Sequence, residues 1–495
     1  MSIDFEMIPG YQTLMRIPSW FNLAVTAAIL RLINIGQESL WYDESFTAWL
    51  SKLEWPNLWA AIRGDVHPPL WYIIEWINVR LFGTSEIALR IPAALLSVIA
   101  VLLVRKLALS VGFQRGTAFL AGLFAAVLPA AVYYGQDARM YPLLACCVLV
   151  AALAAIRENW IVFTVASIAA VYTQNLGLFY VLAIGAASTL SRWHTWRSLI
   201  RPVLAGGATV IAWLPWSQVV LHQVKQISNG FWIQPITTGS LLWPIEAMTA
   251  GVRLPETFTL HIYGAVAGVT LVGLISCRKW VFTRSGLIVM SVILGTPLLI
   301  AAMSLVWRTV YLPRAMLPSA LALCLLWAYP LRHLSRPNRS IAQAIVTPMI
   351  LIALWSHYFP AINGRFPVRE WANTIQSNWQ RNDVIYYIAI DACLLFEYYL
   401  PDKPYALLPY AGDLNQSLTE ETKAAMQIEA RSFDWLKQQG YERIWLIVAT
   451  NPLTNAQQYQ QIASILLNHA WKVVKHEDLN VGTRTIYLVD LVAEI

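Results

Sequence analysis

Charge is scarce in this sequence: Asp, Glu, Lys and Arg together make up 13% of its 495 residues. A soluble globule carries about 25%, so the chain lacks the polar surface to face water on all sides. Disordered, collagen-like and coiled-coil chains are excluded on the same numbers. Cysteine is sparse as well. Cys146, Cys147, Cys277 and Cys324 lie within apolar runs and Cys393 stands alone further on, so neither a disulfide framework nor zinc spacing follows. Glycine-rich phosphate loops, internal repeats and low-complexity tracts are all missing. No cleavable signal is expected, because the first apolar run is long and has no small-residue cleavage site. What the sequence has in quantity is apolar. Hydrophobic residues reach 57% and the mean hydropathy is +0.52, which is the profile of a polytopic membrane protein.

The scarce charge is unevenly divided. Residues 1–361 hold 24 bases and 13 acids, whereas residues 362–495 hold 11 bases and 15 acids. This split implies a membrane body followed by a soluble tail of domain size. A spanning helix needs about 20 mostly apolar residues, and eleven candidates are read: 16–36, 86–105, 116–134, 140–156, 160–175, 177–190, 199–221, 261–277, 285–306, 312–331 and 340–359. Thr173-Gln174-Asn175 makes a tight hairpin between the fifth and sixth. Although the pI is near 9.1, the bases sit in short loops between apolar runs, which excludes a nucleic-acid patch.

Orientation follows from those loops. With the N-terminus inside, the cytoplasmic loops collect Arg105, Lys106, Arg115, Arg157, Arg192, Arg197, Arg201, Arg278, Lys279, Arg284, Arg332, Arg336 and Arg339 against Glu158 alone. The loop 37–85 shows the reverse bias, with Glu38, Asp43, Glu44, Glu54, Asp65 and Glu75 against Lys52, Arg63 and Arg80. The acidic loops and the tail are therefore expected outside the cytoplasm. Residues 69–82 are too short to span and carry Glu75 and Arg80. They read as an amphipathic helix at the interface, where Trp71, Tyr72 and Trp76 would anchor it. In the tail, apolar runs at 384–390, 443–449 and 484–492 read as strands. They alternate with helices near 368–380, 392–400, 418–439 and 454–469, giving a small α/β domain.

Ionisable residues near a membrane face are functional candidates, and two clusters qualify. The first is WYDESF (41–46) with DVHPP (65–69), in which Asp43 and Glu44 diverge by about 100° on a helix. One of them can then face a site while the other makes a structural or metal contact. A plain acidic turn, with Asp65 capping a helix at Pro68, fits the same residues. The second cluster is YGQDARMY (134–141), where Asp137 and Arg139 flank a two-residue step. A self-neutralising pair is the bland alternative there.

Taken in order, WYDES, DVHPPLWY, LFGTSEIALRIPAAL and YYGQDARMYPLL closely resemble the bacterial membrane glycosyltransferases of the GT-C superfamily. The likeness is to the branch related to protein O-mannosyltransferases and the lipid A aminoarabinose transferase. It covers roughly residues 15–330, is strongest over 40–145, and has weaker echoes at VYLPR (310–314) and VREW (368–371). The resemblance implies a mainly α, GT-C-type transmembrane bundle of about eleven spans with a C-terminal soluble α/β domain. It also implies an enzyme that takes a monosaccharide from a polyprenyl-phosphate-linked donor and passes it to an envelope lipid, glycan or protein. Asp43 matches the family's catalytic acid and Asp137 its supporting acid. At His67 the aminoarabinose-transferase relatives carry a Lys before the Pro pair.

The chemistry of the residues agrees. A glycosyl phosphate already has a good leaving group, so the acceptor hydroxyl needs a base, for which Asp43 is chosen with Glu44 adjacent and Asp137 fixing geometry. Growing charge on the departing phosphate calls for cations. Arg139, Arg314 and His67 are the candidates, with Arg90 and Arg308 behind them. Asp43, Asp137 and His67 could also hold a divalent ion, but no essential metal or other cofactor is expected. Loops 37–85, 134–141 and 222–260 are expected to form the catalytic face, and the last of these, with Lys225, Trp232, Trp243 and Glu256, either shapes the acceptor entrance or anchors the chain at the membrane surface. The expected partners are the lipid-linked donor, an acceptor and membrane lipids. A polyprenyl-lipid flippase or a non-catalytic assembly scaffold is the alternative, and the lack of charge near the midplane and of an inverted repeat argues against transport.

Overall fold

The computed structural model describes residues 18–192, 196–228, 237–249, 251, 253, 256–307, 310–333, 335–359, 365–388, 390–408, 418–449, 472–479 and 484–490. The bundle opens with α1 (Ser19–Leu32), then three helices of the loop that follows, α2 (Tyr42–Lys52), α3 (Trp55–Gly64) and α4 (Leu70–Phe82). Five more lead up to the hairpin: α5 (Glu86–Ser110), α6 (Arg115–Val127), α7 (Pro129–Gly135), α8 (Tyr141–Ile156) and α9 (Trp160–Thr173). After it come α10 (Gly177–Leu190), α11 (Trp196–Ser228), α12 (Thr238–Thr249), α13 (Thr259–Ser276) and α14 (Arg278–Val281). The last helices of the body are α15 (Arg284–Met290), a π turn at Ser291–Gly295, α16 (Thr296–Val306), α17 (Leu317–His333) and α18 (Arg336–Tyr358).

Helix covers most of the described part of each of the eleven apolar stretches. Among the described residues, four segments are long and apolar enough to cross a membrane, or five with the bent pair α6–α7, and six more are shorter apolar helices. Helix α5 runs 25 residues, about 37 Å at 1.5 Å per residue. Its start is fixed by Ser85, whose side chain accepts from the Ala88 N–H at 3.2 Å. Helix α8 is apolar on every side and nearly all its residues are buried, as expected of a helix enclosed by others. It packs against α5, α9, α10 and α17.

The bend of 56° between α6 and α7 has a local cause. Pro129 lacks an N–H and pushes Leu128 into an extended conformation, which frees carbonyls at the end of α6. Arg31 of α1, fully buried, takes them: its guanidinium donates to Ala126 O at 2.6 Å and Ala125 O at 3.3 Å. Its Nε donates to Ser97 Oγ at 2.9 Å, and that hydroxyl donates to Ala131 O at 2.9 Å. A buried arginine thus secures a broken helix, and α7 leads directly into the Gln136–Met140 turn.

At one end of the bundle Glu158 pairs with Arg192, at 3.7 Å, and with Arg284. These residues belong to the base-rich loops. The loop 37–85 occupies the other functional end, and α4 within it corrects one expectation. It is a helix, but Trp71 and Tyr72 are fully buried rather than placed as interface anchors, because α4 is packed among α2, α5 and α9. Trp71 Nε1 donates to Ala138 O at 3.2 Å, and Trp76 Nε1 to Leu53 O at 3.0 Å. The described part of 222–260 is largely helical, as the end of α11 and as α12. The side chains of Lys225, Trp243 and Glu256, and residue Trp232 altogether, lie outside the described residues, as does Arg308.

Residues beyond 365 form helices α19 (Val368–Ser377), α20 (Ile390–Tyr399), α21 (Glu420–Ala425) and α22 (Phe433–Gln438) beside one sheet. Its strands are β1 (Asp383–Tyr387), β2 (Tyr405–Leu407), β3 (Arg443–Ala449), β4 (Lys472–Leu479) and β5 (Arg484–Asp490), in the order β2-β1-β3-β5-β4. Strand β1 is parallel to β2 and β3, while β5 runs antiparallel to β3 and β4. The two edge strands, β2 and β4, are the ones the apolar runs had not indicated. The single helix expected over 418–439 is broken between α21 and α22, where Ala430 bridges to Leu407 and the Arg431 N–H donates to Leu407 O at 2.8 Å. The helix expected at 454–469 lies outside the described residues.

This sheet unit is docked on the loop 37–85 at two places. Leu40 N–H donates to the Tyr399 hydroxyl at 2.8 Å, which itself donates to Glu86 at 2.7 Å, and Arg369 pairs with Glu86. Thr419 and Thr422 donate to Gly64 O and Ala61 O, both at 3.2 Å. A Cβ on Gly64 would stand 2.3 Å from the Thr422 hydroxyl oxygen, so glycine is what permits this close approach.

Candidate active site

Helix α2 and the turn after α7 carry most of the charge. Asp43 and Glu44 open α2 and point apart, as their helical spacing requires. Glu44 is fully buried. Its carboxylate receives Arg90 through Nε and Nη2, each at 2.8 Å. It also accepts the Ala138 N–H at 2.9 Å, the Trp41 N–H at 3.4 Å and Arg365 Nη1. Burial alone would raise its pKa, but Arg365 and then Arg90 outweigh it and hold it down to about 2. Arg90 spends its remaining N–H groups on Ile35 O, Glu38 O and Ser39 O at 2.7, 2.9 and 3.1 Å. A guanidinium has five N–H donors, and all are used. Arg90 therefore has nothing left for a phosphate, which corrects its place among the reserve cations.

Asp43 faces another way. Its Oδ2 accepts Arg314 Nη1 at 2.7 Å and lies 3.7 Å from Arg139 Nε. The side chains of Asp43 and Arg314 stay 14% and 15% exposed, so this pair lies at the rim. Burial raises the Asp43 pKa, yet Arg314 and then Arg139 bring it below the usual carboxylate value.

Arg139 is the hub between the two clusters. It donates to Asp43 O and Thr47 Oγ1, both at 3.2 Å, and to the Tyr72 hydroxyl at 3.4 Å. Its Nη2 lies 3.4 Å from His67 Nε2. Because arginine cannot accept, that contact makes His67 Nε2 the acceptor and leaves the proton on Nδ1, which faces Asp65 Oδ2 at 3.1 Å. Tyr72 donates to the same Asp65 oxygen at 2.8 Å. Burial opposes the Asp65 charge, but His67 and then Arg139 hold its pKa below normal. Asp65 ends α3 and makes no cap for α4, whose N-cap is Pro69. The expected capping role gives way to this His–Tyr contact.

Asp137 is fully buried. Oδ1 accepts the Trp41 indole N–H at 2.7 Å and lies 3.5 Å from Arg365 Nη2. Oδ2 has no hydrogen-bond partner among the described residues. Burial and then repulsion from Glu44 push its pKa up to about 7. Asp43, Glu44, Asp137, Arg139, Arg314 and His67 are thus brought into one assembly. Asp43, Asp137 and His67 do not make a metal cage: among the described residues no group of three or more His, Cys, Asp or Glu side chains is arranged to hold an ion.

Sequence reasoning missed Arg365. It leads into α19 and pairs with Glu44, Asp137 at 3.5 Å and Glu38 at 3.6 Å. Arg253 adds to the same patch, pairing with Glu38 at 2.5 Å. One signal was present. Arg253, like Arg139, lies in a loop where the charge bias makes bases rare, whereas Arg365 begins a tail that holds 11 bases and carried no such signal.

With this geometry in hand, known proteins provide a comparison. Residues 66–219 match the family described as dolichyl-phosphate-mannose-protein mannosyltransferase. The chain resembles ArnT from Cupriavidus metallidurans in the apo state, with a TM-score of 0.65 and 14% identity over 96% of this chain and 98% of that one. Against ArnT bound to undecaprenyl phosphate the TM-score is 0.61 at 15% identity, covering 97% and 98% of the two chains. The apo oligosaccharyltransferase of Archaeoglobus fulgidus gives a TM-score of 0.52 at 11% identity, over 87% of this chain and 69% of that one. No curated protein sequence matches the chain.

Proposed function

We propose that this chain, a multi-pass membrane glycosyltransferase with the GT-C fold, moves a monosaccharide from a polyprenyl-phosphate donor to an envelope acceptor. The observation that carries this reading is Asp43, a partly exposed carboxylate held between Arg314 and Arg139. ArnT, alike over nearly its whole length, binds undecaprenyl phosphate, and that supports a lipid phosphate here. The two arginines attract the donor's phosphate group, where negative charge grows as the sugar leaves.

In the free protein the same arginines make Asp43 a weak base, since they favour its ionised form. A phosphate that competes for Arg314 relieves that attraction and raises the basicity of Asp43 when donor is present. The acceptor hydroxyl then passes its proton to Asp43, and its oxygen bonds to the anomeric carbon. The bond from that carbon to phosphate breaks, with its electron pair going to the polyprenyl phosphate. One displacement inverts the anomer. Glu44 and Arg90 hold α2, Asp137 fixes Trp41, and His67 orients Arg139 instead of meeting the phosphate. The arginines supply the positive charge a metal would otherwise bring, so we propose no essential ion.

We place the site on the periplasmic side of the inner membrane, with the N-terminus cytoplasmic and residues 362–495 forming a periplasmic domain. The support is the positive-inside bias, whose loops meet around Glu158. The test is transfer from a polyprenyl-phosphate sugar by Asp43→Asn. A positioned base contributes about 100- to 10,000-fold, so turnover should fall at least 100-fold while polyprenyl phosphate still binds. Transfer at the full rate would remove Asp43 from the chemistry.

A further inference from the structure

Tyr141 opens α8, two residues after Arg139 and four after Asp137. It is fully buried, and its ring meets Tyr134 edge-on with centroids 5.1 Å apart. The Arg314 guanidinium lies 5.8 Å from the ring centroid. Around its phenol the charged groups are Arg314, Arg139, Asp43 and Asp137. Yet the hydroxyl makes no hydrogen bond to any described residue, although buried polar groups in native proteins are nearly always paired. Arg139 Nε is a second buried donor without a hydrogen-bond partner among the described residues. An unspent hydroxyl beside the Arg139 and Arg314 guanidinium groups suits a ligand that brings negatively charged oxygen.

We propose that Tyr141 is a substrate-contacting residue whose buried hydroxyl donates to a phosphate oxygen of the lipid-linked donor, beside Arg139 and Arg314. The proposal rests on the donor reading above, but its test reads binding without turnover. The substitution Tyr141→Phe keeps the ring and its contacts and deletes only the hydroxyl. Since that hydroxyl pairs with no described protein group, its loss removes an unsatisfied buried oxygen, so the free protein should be as stable as wild type or more so. Binding should move the opposite way, because a hydrogen bond to a charged group corresponds to roughly a 10- to 100-fold change in affinity.

The experiment measures thermal unfolding of the full chain in detergent, together with binding of undecaprenyl phosphate and of inorganic phosphate, for wild type and Tyr141→Phe. An unfolding temperature equal or higher, with both ligands weakened in parallel, supports the contact and assigns it to the phosphate group. Unchanged binding of both overturns it. Weakening of the lipid alone also overturns it, because the hydroxyl would then touch the chain and not the phosphate. A lowered unfolding temperature overturns it too, since the hydroxyl would then serve the fold.

Discussion

Replacing Asp137 by Asn should make the protein more stable and less active, and the stability gain should appear only as pH rises. In the folded protein burial and Glu44 carry the Asp137 pKa from 3.8 up to about 7. Below the unfolded value both states hold the proton, and the group has no effect on stability. Between pH 4 and 7 the unfolded chain releases the proton while the folded chain keeps it, so stability falls. Above about pH 7 the full cost is present, at most about 4 kcal/mol. Asparagine removes that cost and keeps an oxygen for the Trp41 indole; the attraction of Arg365, 3.5 Å away, is already contained in the pKa of about 7. The expected gain is therefore at most about 4 kcal/mol above pH 7; below pH 4 the gain vanishes. Glu44 does not blur the comparison. Its pKa is lowered to about 2, so its contribution is constant above its unfolded value near 4.5 and is lost only below that. Thermal unfolding of both proteins at pH 5, 6, 7 and 8 provides the measurement, with transfer assayed in parallel. A difference that does not grow with pH, or a variant less stable at pH 8, would mean that Asp137 is a well-paired anion and that the reasoning is wrong.

Arg90→Lys should destabilise the protein strongly. Lysine offers three donors where five are used and cannot clasp Glu44 on two oxygens, and breaking a buried pair costs about 3–5 kcal/mol. Thermal unfolding checks this, and a midpoint within a degree of wild type would refute it. Chelation by EDTA should leave transfer at its starting rate; a loss reversed by one particular divalent ion would show that the arginines do not suffice.

The helices were legible because an apolar run is a local property. The charge bias made the acid-rich loop legible too, and the four motifs pointed to Asp43, Asp137 and Arg139, with the weaker echo at 310–314 adding Arg314, before any geometry was known. What escaped was the choice of partners across long separations. Residues 69–82 have the composition of an interface helix, but Trp71 is drawn inward by a carbonyl 67 residues away. Arg365 reads as an ordinary linker base, yet its partner Glu44 lies 321 residues earlier. Nothing near Arg31 in sequence announces that Pro129 will release carbonyls for it to bind. The break in 418–439 likewise arises from pairing with Leu407, which a helical pattern does not encode.

The adjacency of Asp43 and Glu44 then acquires a physical purpose. If Asp43 were positioned only by Arg139 and Arg314, a phosphate that took Arg314 would also release the base from its place. Glu44 prevents this. Roughly 100° around the same helix, it binds α2 to Arg90 of α5, to the Ala138 N–H beside Asp137, and to Arg365 before α19. None of those three has to move when a ligand enters on the Asp43 side. On the proposed function, position and reactivity are assigned to neighbouring carboxylates. Glu44 has its charge locked by buried arginines, while Asp43, at the rim, keeps partners that an anionic substrate can exchange.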